Sequence, residues 1–352
     1  MEGGLFVTLY DEKTLKLYLE NGVYGQHMPP EMGEPSSYSN HYRVLGDYAC
    51  CRKNNHVFFF LKRKIVYAGQ ILGSRDHGSF YLNGGMSPMG REANAPLVWD
   101  ESKREIYEST EDPGLFKVKV RNGKVTRCQP FLIRFEDNLD LAGDYIISDQ
   151  FYFKLGEYPY PLPSNSISGM GFCTLTPGET NTLLELLENE PEGSVSPISD
   201  EDVELEDEPI PYSPKYGIEN ATEATTESHL EASVIANPKL LLENMHPGSA
   251  VICRQVPISP FKPRQMDRAD MCYYGEMALR NGTIPDTVIE LKVNKAGKQE
   301  ALQVERYLKW LHKRLGDEAK SIEVYVFAPG FKRTFPQNIS DKFQDQIQKV
   351  KF

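Results

Sequence analysis

The chain has few of the residues that build metal cages or disulfide frameworks. Its six cysteines (Cys50, Cys51, Cys128, Cys173, Cys253 and Cys272) form no C-x-x-C pair, and its seven histidines never fall at H-x-x-x-H spacing. These spacings argue against a structural zinc site and against a disulfide scaffold. No run of about 18 apolar residues occurs, so no transmembrane helix is expected. The start, MEGGLFVTLYDEK, has no basic stretch followed by an apolar one, so no signal peptide is expected. No internal repeat is visible. The chain reads as a reduced, soluble, cytoplasmic protein with no membrane partner.

What is present suffices for real cores: 352 residues, 40% hydrophobic and 11% aromatic. That length suggests two or three domains. The formal charge is −11, but eleven of the 50 acids lie within ELLENEPEGSVSPISDEDVELEDEPI, residues 185–210, which has no Lys or Arg. Without that stretch 39 acids face 39 basic residues, and from 219 onward 19 basic residues face 17 acids. The acidity belongs to one segment, so it does not exclude a nucleic-acid partner. Residues 188–218 read as a solvated acidic linker, because such composition buries too little apolar area to offset ordering entropy. A sharper reading is a DNA-mimicking strip that covers a basic groove.

The linker separates two unlike halves. Residues 1–187 read mostly as strands: NHVFFFLKRKIVYAGQILG (55–73) with a turn at KRK, LFKVKVRNGKVTRCQPFLIRF (115–135) with an Asn122-Gly123 hairpin turn, and GDYIISDQFYFKL. TPGETNTLLELLEN reads as a capped closing helix. The expectation is a mostly β, barrel-like N-terminal domain. Residues 219–352 alternate differently. TEATTESHLEASVIANP reads as a helix, AVICRQVPI, DRADMCYYG, TVIELKV and SIEVYVFAPG as strands, KQEALQVERYLKWLHKRLG as an amphipathic helix, and NISDKFQDQIQKVKF as a last helix. The expected class is α/β, with a mixed sheet flanked by helices in this half.

TVIELKV poses a problem for a core strand. Glu290 and Lys292 are two residues apart, so they point the same way. Burying both costs several kcal/mol each unless they are paired or used. Pairing of adjacent strands would set Asp270, in RAD, beside Glu290. Two close carboxylates repel, and a hard divalent cation relieves that repulsion. Lys292 beside them would activate or align a water. Together these groups suit metal-assisted hydrolysis of a phosphodiester.

In order, an acidic helix (ESHLEASVIANP), an Asp strand (DRADMCYY), an E-L-K strand and a Q-x-x-x-Y helix (QVERY, 303–307) resemble the PD-(D/E)XK nuclease superfamily, in its RecB- and NucS-like branch. An isolated E-x-K carries no information, whereas the ordered set is specific. The resemblance covers about 130 residues and implies a restriction-endonuclease-like fold. It implies Asp270, Glu290 and the Leu291 carbonyl as ligands of Mg²⁺ (with Mn²⁺ as a substitute), Lys292 as the lysine that positions water, and Glu231 as the acidic-helix glutamate. Gln303 and Tyr307 would support the site and contact phosphate. Asp286, in a second literal Pro-Asp, would lie about 13 Å along the strand from Glu290, too far to share one metal. It reads as a turn residue before the strand.

Lys262, Arg264 and Arg268 in FKPRQMDR, with Lys295 and Lys298 in NKAGK, are the expected DNA contacts. The N-terminal half shows a faint resemblance to PUA/EVE-type barrels. That resemblance implies a base-reading role for which Trp99, Tyr81 and Tyr48 are the candidates. The expected function is a metal-dependent DNA endonuclease, with target choice by the N-terminal half and a role in restriction or defence. A homodimer is expected if both strands are cut. A repair nuclease acting on mismatched or branched DNA and a non-catalytic binding protein are the alternatives.

Overall fold

The computed structural model describes residues 2–9, 12–26, 38–61, 64–73, 80–82, 97–100, 105–108, 119–121, 124–127, 131–137, 146–147, 172–188, 218–242, 245, 251–258, 267–275 and 284–352. The acidic stretch between 189 and 217 lies outside them, as do Cys128 and most of GDYIISDQFYFKL.

The first sheet grows from a strand that is apolar on both faces. β1 (Gly4–Thr8) pairs in parallel with β3 (His56–Leu61), and β3 pairs antiparallel with β4 (Lys64–Ile71). Alternate residues serve two cores. Leu5, Val7, Val57, Phe59 and Leu61 join one cluster, and Phe6, Phe58 and Phe60 the other. An unbroken HVFFFL run is what a strand covered on both sides requires. Helix α1 (Glu12–Asn21) and helix α2 (Tyr38–Cys50) supply Tyr18, Tyr42, Leu45 and Tyr48 to the first cluster. Helix α3 (Pro177–Glu188) supplies Leu183 and Leu187 to the second. β10 (Phe131–Asp137) carries the sheet onward, pairing with β4, with β2 (Val23–Tyr24) and with β5 (Phe80–Leu82). β11 (Ile146–Ile147) pairs with β4, and β12 (Phe172–Leu175) closes the far edge on β1. Two hairpins stand apart: β6 (Leu97–Asp100) with β7 (Glu105–Glu108), and β8 (Lys119–Arg121) with β9 (Lys124–Arg127). The barrel-like expectation is met as a half-barrel, but α1 and α2 were read as part of a strand-rich stretch. TLKLYL in α1 alternates like a strand, and α2 carries an interior glycine, Gly46.

α3 opens on a reciprocal cap. The Thr176 N–H donates to Glu179 Oε2 at 2.7 Å, and the Glu179 N–H donates to Thr176 Oγ1 at 3.3 Å. Glu179 is buried, and burial pushes its carboxyl up to about 7 despite those bonds. A raised folded pKa means that the folded state holds its proton after the unfolded chain has lost it. The contribution is therefore full below the ordinary glutamate value and is lost as pH rises towards about 7. Glu179→Gln keeps the acceptor and removes the charge. It is expected to match the wild type at pH 4 and to be more stable at pH 8, by on the order of 1–3 kcal/mol. Urea unfolding at the two pH values checks this, and a less stable variant at pH 8 would refute it.

The second sheet has the order β13 (Val251–Pro257), β14 (Arg268–Tyr274), β15 (Thr287–Leu291), β16 (Glu323–Ala328), β17 (Ile347–Lys351). The first three strands are antiparallel, and β15, β16 and β17 run parallel, so the sheet is mixed. Helix α5 (Lys298–Leu315) crosses over from β15 to β16 and packs Val304, Tyr307, Leu308 and Leu311 on one face. Helix α4 (Glu227–Ala236), capped by Thr226, packs Leu230, Val234 and Ile235 on the other. The expected last helix is a 3₁₀ turn at Asp341–Gln346 followed by β17. β17 pairs in parallel with β16 from Ile347 to Lys351, and tertiary pairing overrides local propensity in so short a segment.

The two halves pack on each other. α2 sends Ala49 and Cys50 into the cluster beneath the second sheet, and Ala232 of α4 enters the core of the first. The Tyr42 and His229 rings stack at 4.1 Å, and Arg52 Nη2 donates to the Ile235 carbonyl at 3.1 Å, at the end of α4. Among the described residues, no helix is long and apolar enough to cross a membrane.

Candidate active site

Asp270 and Glu290 lie on neighbouring strands, and the backbone fixes one to the other. The Leu291 N–H donates to Asp270 Oδ2 at 2.8 Å. Glu290 is 1% exposed. Lys292 Nζ lies 2.7 Å from Glu290 Oε1, 3.4 Å from Glu227 Oε2 and 4.0 Å from Asp270 Oδ2. One ammonium therefore faces three carboxylates, two from strands and one from α4. The two charges of the E-x-K strand are buried because they are paired.

α5 holds the other side of Glu290. The Tyr307 hydroxyl lies 3.1 Å from Glu290 Oε2 and 2.6 Å from the Arg268 carbonyl, and Gln303 Nε2 donates to it at 2.6 Å. Gln303 and Tyr307 are one helical turn apart, which is what lets the amide reach the phenol. Both carboxyls sit above their ordinary range. Burial raises Asp270 most, and the Glu290 charge raises it further. Burial also raises Glu290, against the opposing pull of Lys292 and Tyr307. For Lys292, burial pulls the ammonium down, but Glu290, Asp270 and Glu227 outweigh it and keep it charged.

Among the described residues, no three His, Cys, Asp or Glu side chains converge as a metal cage. The carboxylate donors at hand are Asp270 and Glu290, to which the sequence resemblance adds the Leu291 carbonyl. They are hard oxygens, and they repel each other in a buried place with one lysine against three acids. That donor set fits Mg²⁺, which keeps several waters and takes only one or two carboxylates.

A second ring of groups surrounds these. Glu231, on α4, accepts Arg254 Nε at 3.1 Å and Nη2 at 2.9 Å. Arg254 Nη1 reaches Asp47 of α2 at 2.6 Å. Gln255 Nε2 lies 3.2 Å from Glu231 Oε1 and 3.4 Å from Asp270 Oδ1. Asp47, Glu227, Arg254 and Gln255 escaped the sequence reading. The one available signal was the polar pair Arg-Gln inside the otherwise apolar VICRQVPI. Gly46 makes room for the arginine, since a Cβ there would meet Arg254 Nε at 2.9 Å. Arg254 is held by two acids and cannot retreat. Gly46→Ala is therefore expected to cost about 1–3 kcal/mol, although alanine is the better helix former. A thermal melt checks this, and unchanged or raised stability would contradict it.

The remaining candidates fall in several places. Arg268 is half-buried and offers its carbonyl to Tyr307. Lys295 and Lys298 are exposed at the start of α5. Lys262 and Arg264 lie outside the described residues. Asp286 leads into β15 and accepts the Gly275 N–H at 2.6 Å, the turn role expected of it. Tyr81 and Trp99 fall on β5 and β6. Tyr48 is a core residue of α2, 0% exposed, with its hydroxyl taken by the Gln26 N–H at 2.6 Å. A ring enclosed in this way has no free face for a base.

No protein-family profile matches the chain. No curated protein matches its sequence. Among solved structures, the crystal structure of a repair endonuclease from Pyrococcus abyssi is similar at 12% identity and a TM-score of 0.25, over 93% of this chain and 99% of that one. The structure of an EndoMS–dsDNA2 complex is similar at 10% identity and a TM-score of 0.25, over 94% of this chain and 98% of that one. Likeness this slight decides no reaction, which has to be derived from the side chains of the site.

Proposed function

We propose that the chain is a metal-dependent DNA endonuclease whose centre is Asp270, Glu290 and Lys292. The observation that carries this reading is the buried Lys292 ammonium, 2.7 Å from Glu290 and 4.0 Å from an Asp270 that the Leu291 N–H holds in place. Asp270, Glu290 and the Leu291 carbonyl would hold Mg²⁺. A bound Mg²⁺ would neutralise the paired acids and polarise a phosphodiester oxygen. Lys292 orients the attacking water towards phosphorus by donating a hydrogen bond to it. Tyr307, steadied by Gln303, keeps Glu290 turned to the site. Arg268, Lys295 and Lys298, with Lys262 and Arg264, meet backbone phosphates, which position the duplex without reading sequence. The N-terminal half selects the target, modified or foreign DNA, as in restriction or defence. Cutting both strands takes two copies of the chain, since one such site cuts one strand.

The test is a panel of labelled duplexes: unmodified, base-modified, mismatched and branched. Each is incubated with the full chain in Mg²⁺, in Mn²⁺ or in EDTA. Cutting in either metal and none in EDTA is expected, with preference for modified duplex. Preference for mismatched or branched duplex would move the target from defence to repair. Tight binding with no cutting of any substrate in either metal would remove the enzyme assignment and leave a binding protein.

A further inference from the structure

Gln255 has a backbone φ of 52°, a left-handed conformation that a residue with a side chain adopts at a cost on the order of 1 kcal/mol. It stands between Arg254, paired with Met271, and Val256, paired with Ala269, so the missing partner across the ladder is Asp270. What the strand loses there, the side chain replaces. Its amide nitrogen lies within 3.4 Å of both Glu231 and Asp270, one N–H available for each. Its neighbour Arg254 grips the same Glu231 with two nitrogens and Asp47 with a third. A continuous line of contacts thus runs from α2 of the N-terminal half through Asp47, Arg254, Glu231 and Gln255 to Asp270.

We infer that Arg254 and Gln255 are positioning residues, through which helix α2 sets the placement of Asp270, one of the two carboxylates proposed to hold the metal. This inference rests on the nuclease reading for the role of Asp270. Arg254 neutralises Glu231, which would otherwise repel Asp270. Gln255 separates the two acids with a neutral donor, so that Asp270 keeps one oxygen on Leu291 and turns the other to a fixed partner. A movement of α2, which packs against α4, is transmitted to Asp270 along these side chains.

The experiment uses the full chain as wild type, Gln255→Ala, Asp47→Asn and the double variant. Mn²⁺ affinity is measured by calorimetry without DNA, and kcat and KM are measured on duplex DNA. Gln255→Ala is expected to lower Mn²⁺ affinity or kcat by about 10–100-fold, with KM for DNA unchanged. Asp47→Asn touches no proposed ligand and keeps an acceptor for Arg254. It is expected to lower the same quantity several-fold, and the double variant to lose less than the product of the two, because both act through Glu231. Wild-type Mn²⁺ affinity and kcat in Asp47→Asn, with only the melting temperature reduced, would overturn the inference and leave the nuclease reading standing. Multiplying effects in the double variant would overturn it as well. If Asp47→Asn does not fold, unchanged affinity and kcat in Gln255→Ala overturn it alone. A wild type that neither binds Mn²⁺ nor cuts overturns the nuclease reading, and the inference with it. A wild type that binds without cutting leaves the affinity shifts to decide.

Discussion

Lys292→Met is expected to lower the cleavage rate by roughly 10³-fold while the chain still folds. Methionine fills nearly the same buried space, so packing against β15 is preserved. What disappears is a positive charge that lies within 4.0 Å of Glu290, Asp270 and Glu227. Glu290, 1% exposed, then takes up a proton more readily, because burial already favours its neutral form. A protonated Glu290 still bonds to Tyr307, which is why folding survives and chemistry does not. Single-turnover cleavage at saturating DNA and Mg²⁺, together with a thermal melt, separates the two effects. A variant that retains a tenth of the wild-type rate would show that Lys292 serves structure.

Arg254→Met is expected to act in the opposite way, on stability first. Asp47 and Glu231 have side chains only 10% and 3% exposed, and the variant leaves both charges buried without their partner. Breaking a buried ion pair from one side costs about 3–5 kcal/mol, a large share of the stability of most domains. Removing all three charges together, by Asp47→Asn, Arg254→Met and Glu231→Gln, is expected to recover most of that loss. The pair's desolvation then vanishes with its attraction. Urea unfolding of the single and triple variants measures both. A single variant within about 1 kcal/mol of the wild type would mean that water reaches the clamp and that it does not bind the halves together.

What could be read from the residues was what lies close along the chain. Glu290 and Lys292 share a face because a strand repeats every two residues, and Gln303 reaches Tyr307 because a helix repeats near four. Asp270 came within reach because β14 and β15 are neighbours in the sheet, and their pairing sets Met271 against Ile289. β3 was legible as a strand from its apolar run, and its burial on both faces appears only in the fold. The clamp was not legible, because Arg254 and Asp47 are 207 residues apart and no local pattern links them. Helix α2 was lost for a related reason. Its interior Gly46 argues against a helix by propensity, yet the glycine is there for Arg254, a contact formed only on folding. The terminal strand β17 was misread because its partner β16, not its own residues, decides its conformation.

The most direct measurement is nicking of supercoiled plasmid by the full chain in Mg²⁺, with Glu290→Ala alongside and circular dichroism to confirm that both are folded. Glu290 is named both as a ligand of Mg²⁺ and as the partner of Lys292, so its loss should reduce nicking to the level seen in EDTA. Nicking by Glu290→Ala at the wild-type rate, or wild-type nicking that persists in EDTA, would contradict a metal-dependent centre built on Asp270, Glu290 and Lys292.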